Sequence, residues 1–395
     1  MKLLINLTLL FFSHALFAAP IDELTKIVNI KSGTSNIKGV EQTLDYVAER
    51  LQKMKFTVER VPSPSGKYAR LLIAKRPSTN PKFITLLAHA DTVFDEPTKF
   101  TSISFSADKK TAYGPGVVDD KGGLIVALTG LEKYLADNPQ TPLSFQFVAS
   151  PNEEIGSEGS IEKFHQIAQN TSMVLTFEGT LEGGNIVDSR KGNRWYLIKV
   201  LGREAHAGRD HKVGINACIE LSSKLKDLAA LTDYAKEITV SVGHIEGGKD
   251  KFNIVCDHAT AKLDVRFMTL ADRDQVHLKI DKILKSIRVK AHSDGEPAKT
   301  SYEIIDDSPP FSPSKISKPL RDQYLKAIEK IEGKKFTAGS SAGVADSNHF
   351  STPTMIVLDG LGPEGGKMHT ESEWLKVDSL QTRADALIEF LNGLK

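Results

Sequence analysis

The chain has few of the features that mark specialised protein classes. It contains two cysteines among 395 residues, too few for a disulfide framework. Its 51 Lys and Arg residues balance 50 Asp and Glu residues, so no surplus of charge points to a nucleic acid as a partner. Low-complexity tracts and internal repeats are also missing. What is left is an ordinary globular chain, long enough for two domains that each have their own core.

The one long apolar run lies at the N-terminus. Lys2 precedes Leu3 to Phe17, and the small residues Ala18 and Ala19 follow. A positive start, an apolar stretch too short to span a bilayer and small residues after it are typical of a secretory signal peptide. We predict a signal peptide over residues 1–18 and a secreted or periplasmic mature chain with no stable membrane insertion after cleavage. A retained membrane anchor is the alternative.

Cys218 falls in a helical pattern and Cys256 at the start of a predicted strand. An oxidising compartment would permit a disulfide between them. Neither cysteine has the histidine and asparagine context of a catalytic thiol. We predict two buried free thiols.

Buried apolar strands alternate with helices from residue 19 to residue 190. Phe83–Ala88, Leu143–Ala149 and Met173–Phe177 are nearly continuous apolar strands, and Gly122–Ala136 has a helical pattern. Strands of this kind are buried on both faces of a sheet. The pattern predicts an α/β fold with a mixed, mostly parallel sheet sandwiched by helices.

The pattern changes between residues 191 and 307. The elements there follow the order β-α-β-β-α-β, and Ala259–Phe267 alternates cleanly between apolar and polar residues. This order predicts an inserted α+β domain of ferredoxin-like topology. The proline-rich segment Ser308–Ser314 marks its end. We therefore predict a catalytic domain formed by residues 19–190 and 308–395.

Side chains that commonly bind metal ions lie in separate short segments, most of them at or just after a predicted strand end. They are His89, Asp119, Glu154, Glu178 and His369. Open α/β sheets place their ligands at the carboxyl ends of strands. The two oxygens of one carboxylate, such as that of Asp119, can each serve a different metal ion. The sequence predicts a two-metal hydrolase site.

Two further acidic residues fit this site. Asp91 would fix the tautomer of His89, and Glu153 could take a proton from water while Glu154 binds metal. Simpler interpretations exist: a polar loop after the strand, a solvated acidic turn, and a helix N-cap at Asp119 or, more suitably, at Asp120. The joint occurrence of these segments in this order favours the metal site.

These segments resemble those of the zinc-dependent exopeptidase and deacylase family, which contains glutamate carboxypeptidase, the aminoacylases and succinyl-diaminopimelate desuccinylase. The resemblance covers nearly the whole mature chain and is greatest to the secreted glutamate carboxypeptidases. It implies two Zn²⁺ per chain, one held by His89 and Glu178, the other by Glu154 and His369, with Asp119 as the bridge. It also implies that Glu153 is the general base and that the peptide bond after Asp119 is cis.

The inserted domain resembles the lid or dimerisation domain of the same family. By this resemblance, His206 would reach the substrate carbonyl and stabilise the oxyanion, often across a dimer. The segments around Asn253 and Arg266 match those that bind the substrate's C-terminal carboxylate, which a guanidinium pairs well. For Arg266 the alternative is a salt bridge on the strand face. The loop Gly339–Asp346 departs from the family's glycine-richer stretch.

We expect a zinc-dependent metallocarboxypeptidase that acts on small peptides or N-acyl amino acids and releases glutamate or another C-terminal amino acid. By resemblance, Glu178 favours the carboxypeptidases and deacylases, since di- and tripeptidases tend to carry aspartate there. An aminoacylase acting on N-acyl amino acids is the alternative. A catalytically silent metal- or peptide-binding protein is disfavoured by the presence of Glu153. A homodimer through the lid is expected from the family, although some of its members act as monomers.

Overall fold

The computed structural model describes residues 19–312 and 314–394. The predicted signal peptide lies outside the described residues. Within them, no helix combines the length and the apolar character needed to cross a membrane. The helices are α1 (Pro20–Val28), α2 (Ile37–Lys53), α3 (Lys121–Asp137), α4 (Ile161–Ala168), α5 (Ala217–Ala229), α6 (Leu270–Lys285), α7 (Lys318–Glu332) and α8 (Val377–Asn392).

In the described part of the chain, the strands form one six-stranded sheet, two four-stranded sheets and one parallel pair. They are β1 (Thr57–Val61), β2 (Leu71–Arg76), β3 (Phe83–His89), β4 (Ser104–Phe105), β5 (Thr111–Tyr113), β6 (Ser144–Ser150), β7 (Thr171–Thr176), β8 (Ile186–Arg190), β9 (Gly192–Leu201), β10 (Thr239–Gly247), β11 (His258–Phe267), β12 (Lys299–Ser308), β13 (Ala338–Ser341), β14 (Ile356–Leu358), β15 (Gly365–Gly366) and β16 (Trp374–Lys376).

The largest sheet has the strand order β1-β2-β6-β3-β7-β14. β3, β6, β7 and β14 run parallel, and β1 and β2 add an antiparallel edge. Successive residues face opposite sides of a strand. Leu86 accordingly packs in the core under α1, α2, α3 and α8, whereas Leu87 packs under α4. Helices on both faces confirm the predicted α/β architecture.

The inserted region forms a second sheet, with the antiparallel order β10-β11-β9-β12. We refer to β9 through β12, with α5 and α6, as the lid. Its elements follow the predicted order β-α-β-β-α-β. Tyr196 and Ile198 of β9 pack with residues of α5 and α6 in one core. Because side chains alternate along a strand, Asn193 and Trp195 lie on the face away from that core. That face is available to the active site.

The two cysteines form a disulfide, so the prediction of free thiols was wrong. Cys218 and Cys256 have an S–S distance of 2.09 Å and a Cα–Cα distance of 5.8 Å. Cys218 lies in the first turn of α5, and the backbone N–H of Ala217 donates to the carbonyl of Cys256 at 2.8 Å. This tertiary contact between the start of the helix and the segment before β11 brings the sulfurs together, and no local sequence pattern reports it.

Candidate active site

His89 ends β3, where its imidazole points into a buried cluster of acidic side chains. Its Nδ1 lies 3.2 Å from Oδ1 of Asp91, and its Nε2 lies 3.0 Å from Oδ1 of Asp119. The backbone N–H of His89 donates to Oδ2 of Asp120 at 3.1 Å. Asp91 is therefore placed as predicted to fix the tautomer of His89, leaving Nε2 to face Asp119.

Asp119 lies in the segment that leads into α3. Its Oδ1 faces His89, and its Oδ2 lies 3.1 Å from Nε2 of His369. The peptide bond between Asp119 and Asp120 is cis, as the resemblance implied. Asp120 occupies the N-cap position of α3, but its side chain forms no capping hydrogen bond and binds His89 instead. The two carboxylate oxygens of Asp119 thus each face a different histidine.

The acidic pair Glu153 and Glu154 follows β6 in a short 3₁₀ turn. Both backbone N–H groups donate to Asp91, at 3.1 Å and 3.3 Å. Oε2 of Glu154 lies 3.2 Å from Nε2 of His369. On the other side of the cluster, Oε1 of Glu178 lies 3.7 Å from Nε2 of His89. The structure thus brings all five predicted metal ligands together with Glu153.

The electrostatics of the cluster show many acidic groups in a small buried volume. Burial raises the pKa of Glu153 well above its usual range, that of Glu154 to about 7 and that of Glu178 to about 8. Hydrogen bonds to Asp119 and Glu154 raise the pKa of His369 to about 10. Burial favours protonation of Asp119 too, but its hydrogen bonds with His369 and His89 hold its pKa well below the usual range. Without added cations, protons must offset the negative charge.

The arrangement of donor atoms fits divalent metal ions. Ligand atoms of His89, Asp119 and Glu154 lie within 4.8 Å of one another, and so do those of His89, Asp120 and Glu178. Two ligand atoms on one tetrahedral zinc lie about 3.3 Å apart, and the histidine–carboxylate distances here range from 3.0 Å to 3.7 Å. Oε1 of Glu154 is buried and has no hydrogen-bond partner among the described residues. A metal ion would supply that partner.

A cavity of about 490 Å³ opens beside this cluster. Its catalytic-domain wall includes Asp119, Glu153, Glu154, Glu178 and His369, and the facing wall comes from the lid. Arg266 is one of the lid residues. Its Nε donates to Asp264 at 3.0 Å, while no hydrogen bond of its terminal nitrogens is found within residues 19–312 and 314–394. Arg266 therefore forms the salt bridge on the strand face through Nε and keeps its two terminal nitrogens for another partner.

Comparison with known proteins gives this cavity a context. A profile described as peptidase family M20/M25/M40 matches residues 85–393, which include every side chain of the cluster. The chain belongs to this peptidase family. Its members are metal-dependent hydrolases, and the acidic cluster of this chain supplies candidate metal ligands.

Curated relatives within the family are distant but cover most of the chain. Carboxypeptidase G2 of Pseudomonas sp. (strain RS-16) is 25% identical over 380 residues, covering 94% of this chain and 89% of the relative. A succinyl-diaminopimelate desuccinylase of Dechloromonas aromatica is 26% identical over 354 residues, covering 85% and 89%. At such identities, relatives with different substrates match about equally well.

Solved structures of peptidases share the fold. A tripeptidase from Staphylococcus aureus superposes with a TM-score of 0.76 at 20% identity, covering 95% of this chain and 97% of that one. A family M20 metallo-carboxypeptidase from Sulfolobus solfataricus gives a TM-score of 0.75 at 19% identity, covering 95% and 99%. The fold is therefore that of the M20 peptidases.

Two predicted substrate-contacting residues lie away from the cavity. His206 is exposed, and its Nδ1 accepts the backbone N–H groups of Gly208 and Arg209 at 3.2 Å and 3.1 Å. With Nδ1 as an acceptor, the proton of the neutral imidazole belongs on Nε2, for which no hydrogen bond is found among the described residues. Asn253 is also exposed, and its backbone carbonyl accepts the backbone N–H of Ala207 at 2.9 Å. Neither side chain lines the cavity of its own chain.

Sequence reasoning missed several residues that shape the site. The buried carboxylate of Glu373 accepts the backbone N–H groups of Gly116, Val118 and Asp119 at 2.9 to 3.1 Å. The guanidinium of Arg190 lines the cavity and forms a bidentate pair with Asp359, at 2.6 Å and 2.9 Å. Glu373 follows the predicted ligand His369 in the same loop, which is the one sequence signal that could have drawn attention to it. Arg190 carries no comparable signal.

Proposed function

We propose that this protein is a di-zinc metallopeptidase that hydrolyses the amide bond preceding a C-terminal amino acid. His89 and Glu178 would hold one zinc, Glu154 and His369 the other, and Asp119 would bridge them. The observation that carries the proposal is the position of Asp119, whose two oxygens face two different histidines inside a cavity that also contains Glu153. When bound, the zinc ions polarise the scissile carbonyl and lower the pKa of the attacking water.

Glu153 is the proposed general base. Its backbone N–H is fixed by Asp91, the residue that also orients His89, so the base and the first ligand share one anchor. Its carboxylate would take the proton of the attacking water and deliver it to the leaving amine.

Arg266 is the proposed anchor for the free carboxylate of the substrate. It lies on the lid wall, opposite the metal cluster, and Asp264 occupies only its Nε. The remaining edge of the guanidinium can pair with a carboxylate in bidentate fashion. A free carboxylate next to the scissile amide is common to C-terminal peptides and N-acyl amino acids, so this anchor serves a carboxypeptidase and an aminoacylase alike.

A substrate panel tests the proposal and separates these activities. The zinc-loaded mature chain would be assayed for release of free amino acid from benzyloxycarbonyl and acyl amino acids, X-Glu dipeptides and simple N-acetyl amino acids. Release from blocked peptides establishes a carboxypeptidase, and a preference for N-acetyl amino acids establishes an aminoacylase. No release from any of them contradicts the proposal and favours a metal- or peptide-binding protein.

His206 and the exposed lid edge suggest a homodimer as the active form. β10 is an edge strand, and Ile245 on it and Phe252 after it are exposed apolar side chains. In a dimer through this edge, the Nε2–H of His206 could donate to a developing oxyanion in the partner's cavity. Mixing the inactive variants Glu153→Gln and His206→Ala should then restore activity. No recovery, together with a monomeric mass by light scattering, would contradict the proposal.

Export to the periplasm or the medium is part of the same proposal. The Cys218–Cys256 disulfide supports it, because such bonds persist mainly in oxidising compartments. Mass spectrometry of the protein expressed with residues 1–18 would detect cleavage near Ala19. A full-length chain that stays in the cytoplasm would contradict export.

A further inference from the structure

The lid wall of the cavity carries a second charged position beyond Arg266. In the lid sheet, Asn193 of β9 pairs with Arg266 on one side and Ser308 on the other, and Trp195 pairs with Asp264 and Asp306. Residues paired across strands, and residues two apart on one strand, share a face. The wall therefore runs from Arg266 on β11 to Asp306 on β12. Two strand spacings separate these strands, about 10 Å.

Among the residues that the structure describes, Asp306 has no cationic partner. Its Oδ2 accepts Nδ2 of Asn193 at 2.7 Å and Oγ of Ser308 at 3.3 Å, and no ion pair of Asp306 occurs within residues 19–312 and 314–394. Neighbouring acids differ: Asp264 pairs with Arg266, and Asp307 pairs with Arg194. Asp306 is half-buried, and burial raises its pKa. A partly buried carboxylate without a cation is costly unless a ligand supplies one.

The side chain of Asn193 provides an independent sign of a missing ligand. Asn193 is 2% exposed and lines the cavity. Because its Nδ2 donates to Asp306, the orientation of the amide is fixed and Oδ1 faces elsewhere. Oδ1 is buried and has no hydrogen-bond partner in the described part of the chain. Among the described residues, the wall thus carries one carboxylate without a cation, that of Asp306, and one buried amide oxygen without a donor, that of Asn193.

We propose that Asp306 and Asn193 form a subsite for a cationic side chain, so that the enzyme releases C-terminal lysine or arginine. This inference rests on the proposed function. Arg266 would bind the α-carboxylate, and the ammonium or guanidinium of the same residue would donate to Asp306 and to Oδ1 of Asn193. Both anchors lie on the lid wall, opposite the metal cluster, so one substrate residue can span them. A C-terminal glutamate would instead bring a second carboxylate to Asp306.

The test compares substrates that differ in charge but little in shape. For the zinc-loaded enzyme, kcat/KM would be measured on benzoyl-lysine, benzoyl-Nε-acetyl-lysine, benzoyl-arginine, benzoyl-citrulline and benzoyl-glutamate. We expect each cationic substrate to exceed its neutral counterpart by about 10- to 100-fold, the range of a charged hydrogen bond. A preference for glutamate or for neutral side chains overturns the inference.

Variants assign the preference to Asp306. Asp306→Asn should abolish the lysine over acetyl-lysine ratio, and Asp306→Arg should shift the preference towards glutamate. Asp307→Asn is the matched control, since Asp307 is the next residue on the opposite face and pairs with Arg194. It should keep the lysine preference. The inference is overturned if the preference for lysine survives in Asp306→Asn. It is also overturned if the preferred free amine lies on the acyl side of the scissile bond and not on the released C-terminal residue.

Failure of this inference can be told apart from failure of the proposed function. Release of neutral or acidic residues leaves the peptidase proposal standing and removes only the cationic subsite. If no substrate is cleaved, the peptidase proposal falls, and calorimetry with free L-lysine against Nε-acetyl-lysine decides the subsite. Binding of lysine that weakens in Asp306→Asn supports it. Equal binding of L-lysine and Nε-acetyl-lysine overturns it. Because this comparison uses the wild-type protein, it still decides the subsite if the Asp306 variant is too unstable for kinetics.

Discussion

The carboxylate of Glu373 holds Asp119 through the backbone. Oε1 of Glu373 accepts the N–H of Asp119 at 3.1 Å and that of Val118 at 2.9 Å, and Oε2 accepts the N–H of Gly116 at 3.0 Å. Glu373 is fully buried and touches no substrate-facing surface, so it is a positioning residue. It fixes the loop from which the carboxylate of Asp119, the proposed bridge, projects.

Replacing Glu373 should therefore damage both stability and metal binding. Glu373→Gln puts an NH₂ group against backbone donors, and we expect the free energy of unfolding to fall by about 2–3 kcal/mol. Zinc should also bind more weakly, because Asp119 loses its fixed position. Urea unfolding and zinc titration measure these effects. Glu371→Gln, an exposed change in the same loop, is the control; equal zinc affinity in both variants would contradict the positioning role.

Metal content should separate the bridging ligand from the others. Asp119→Asn should lower the content of both zinc ions, because each oxygen of Asp119 faces a different histidine. Glu178→Gln should lower only one, since Glu178 lies near His89 and not near His369. Elemental analysis after dialysis counts the ions. Full zinc content in Asp119→Asn would contradict the role of Asp119 as the bridging ligand.

The disulfide should stabilise the lid without touching the metal site. Cys218 and Cys256 are 38 residues apart, and closing a loop of this length contributes about 2–4 kcal/mol. Changing both cysteines to serine should lower the free energy of unfolding by that amount and leave zinc content unchanged. Urea unfolding with and without reductant checks this. A wild-type curve that reductant does not move, or free thiols detected by alkylation, would contradict the bond.

His349 should make stability depend on pH. Burial lowers its pKa from 6.5 to about 4. Between those values the unfolded chain binds a proton that the folded chain does not, so stability contributed by the neutral imidazole is lost as the pH falls. The loss amounts to about 3 kcal/mol at most. His349→Gln lacks this group, so its free energy of unfolding should fall less than that of the wild type between pH 6.5 and pH 4.5. If the free energies of unfolding of the two proteins fall equally over this pH range, His349 is not the group responsible.

Sequence patterns sufficed for the fold class and for placing the candidate metal ligands near one another. Apolar runs locate His89, at the end of β3, and Glu178, just after the end of β7. Parallel strands bring their ends to one edge of the sheet. Glu373 and Asp91 act through backbone N–H groups, which carry no sequence pattern. Asp91 was found only because it lies two residues from a histidine ligand.

Contacts between distant segments explain the remaining errors. The Cys218–Cys256 bond depends on how α5 meets the segment before β11. Asp306 was missed because it lies near the C-terminal end of β12, which continues to Ser308, and no sequence motif marks it as a cavity residue. The irregularity between Ile304 and Asp306 then sets which side chains face the cavity. Short strands such as β15, with two residues, have too little pattern to predict.

The central claim, a metal-dependent hydrolase with Glu153 as base, is tested most directly by Glu153→Gln measured for zinc content and turnover together. We predict about two zinc ions per chain, as in the wild type, and a fall in kcat of about 10²- to 10⁴-fold. Glu162→Gln, an exposed acid in α4, should change neither quantity. Near-normal turnover in Glu153→Gln would contradict the account, and loss of zinc would make Glu153 a ligand instead of the base.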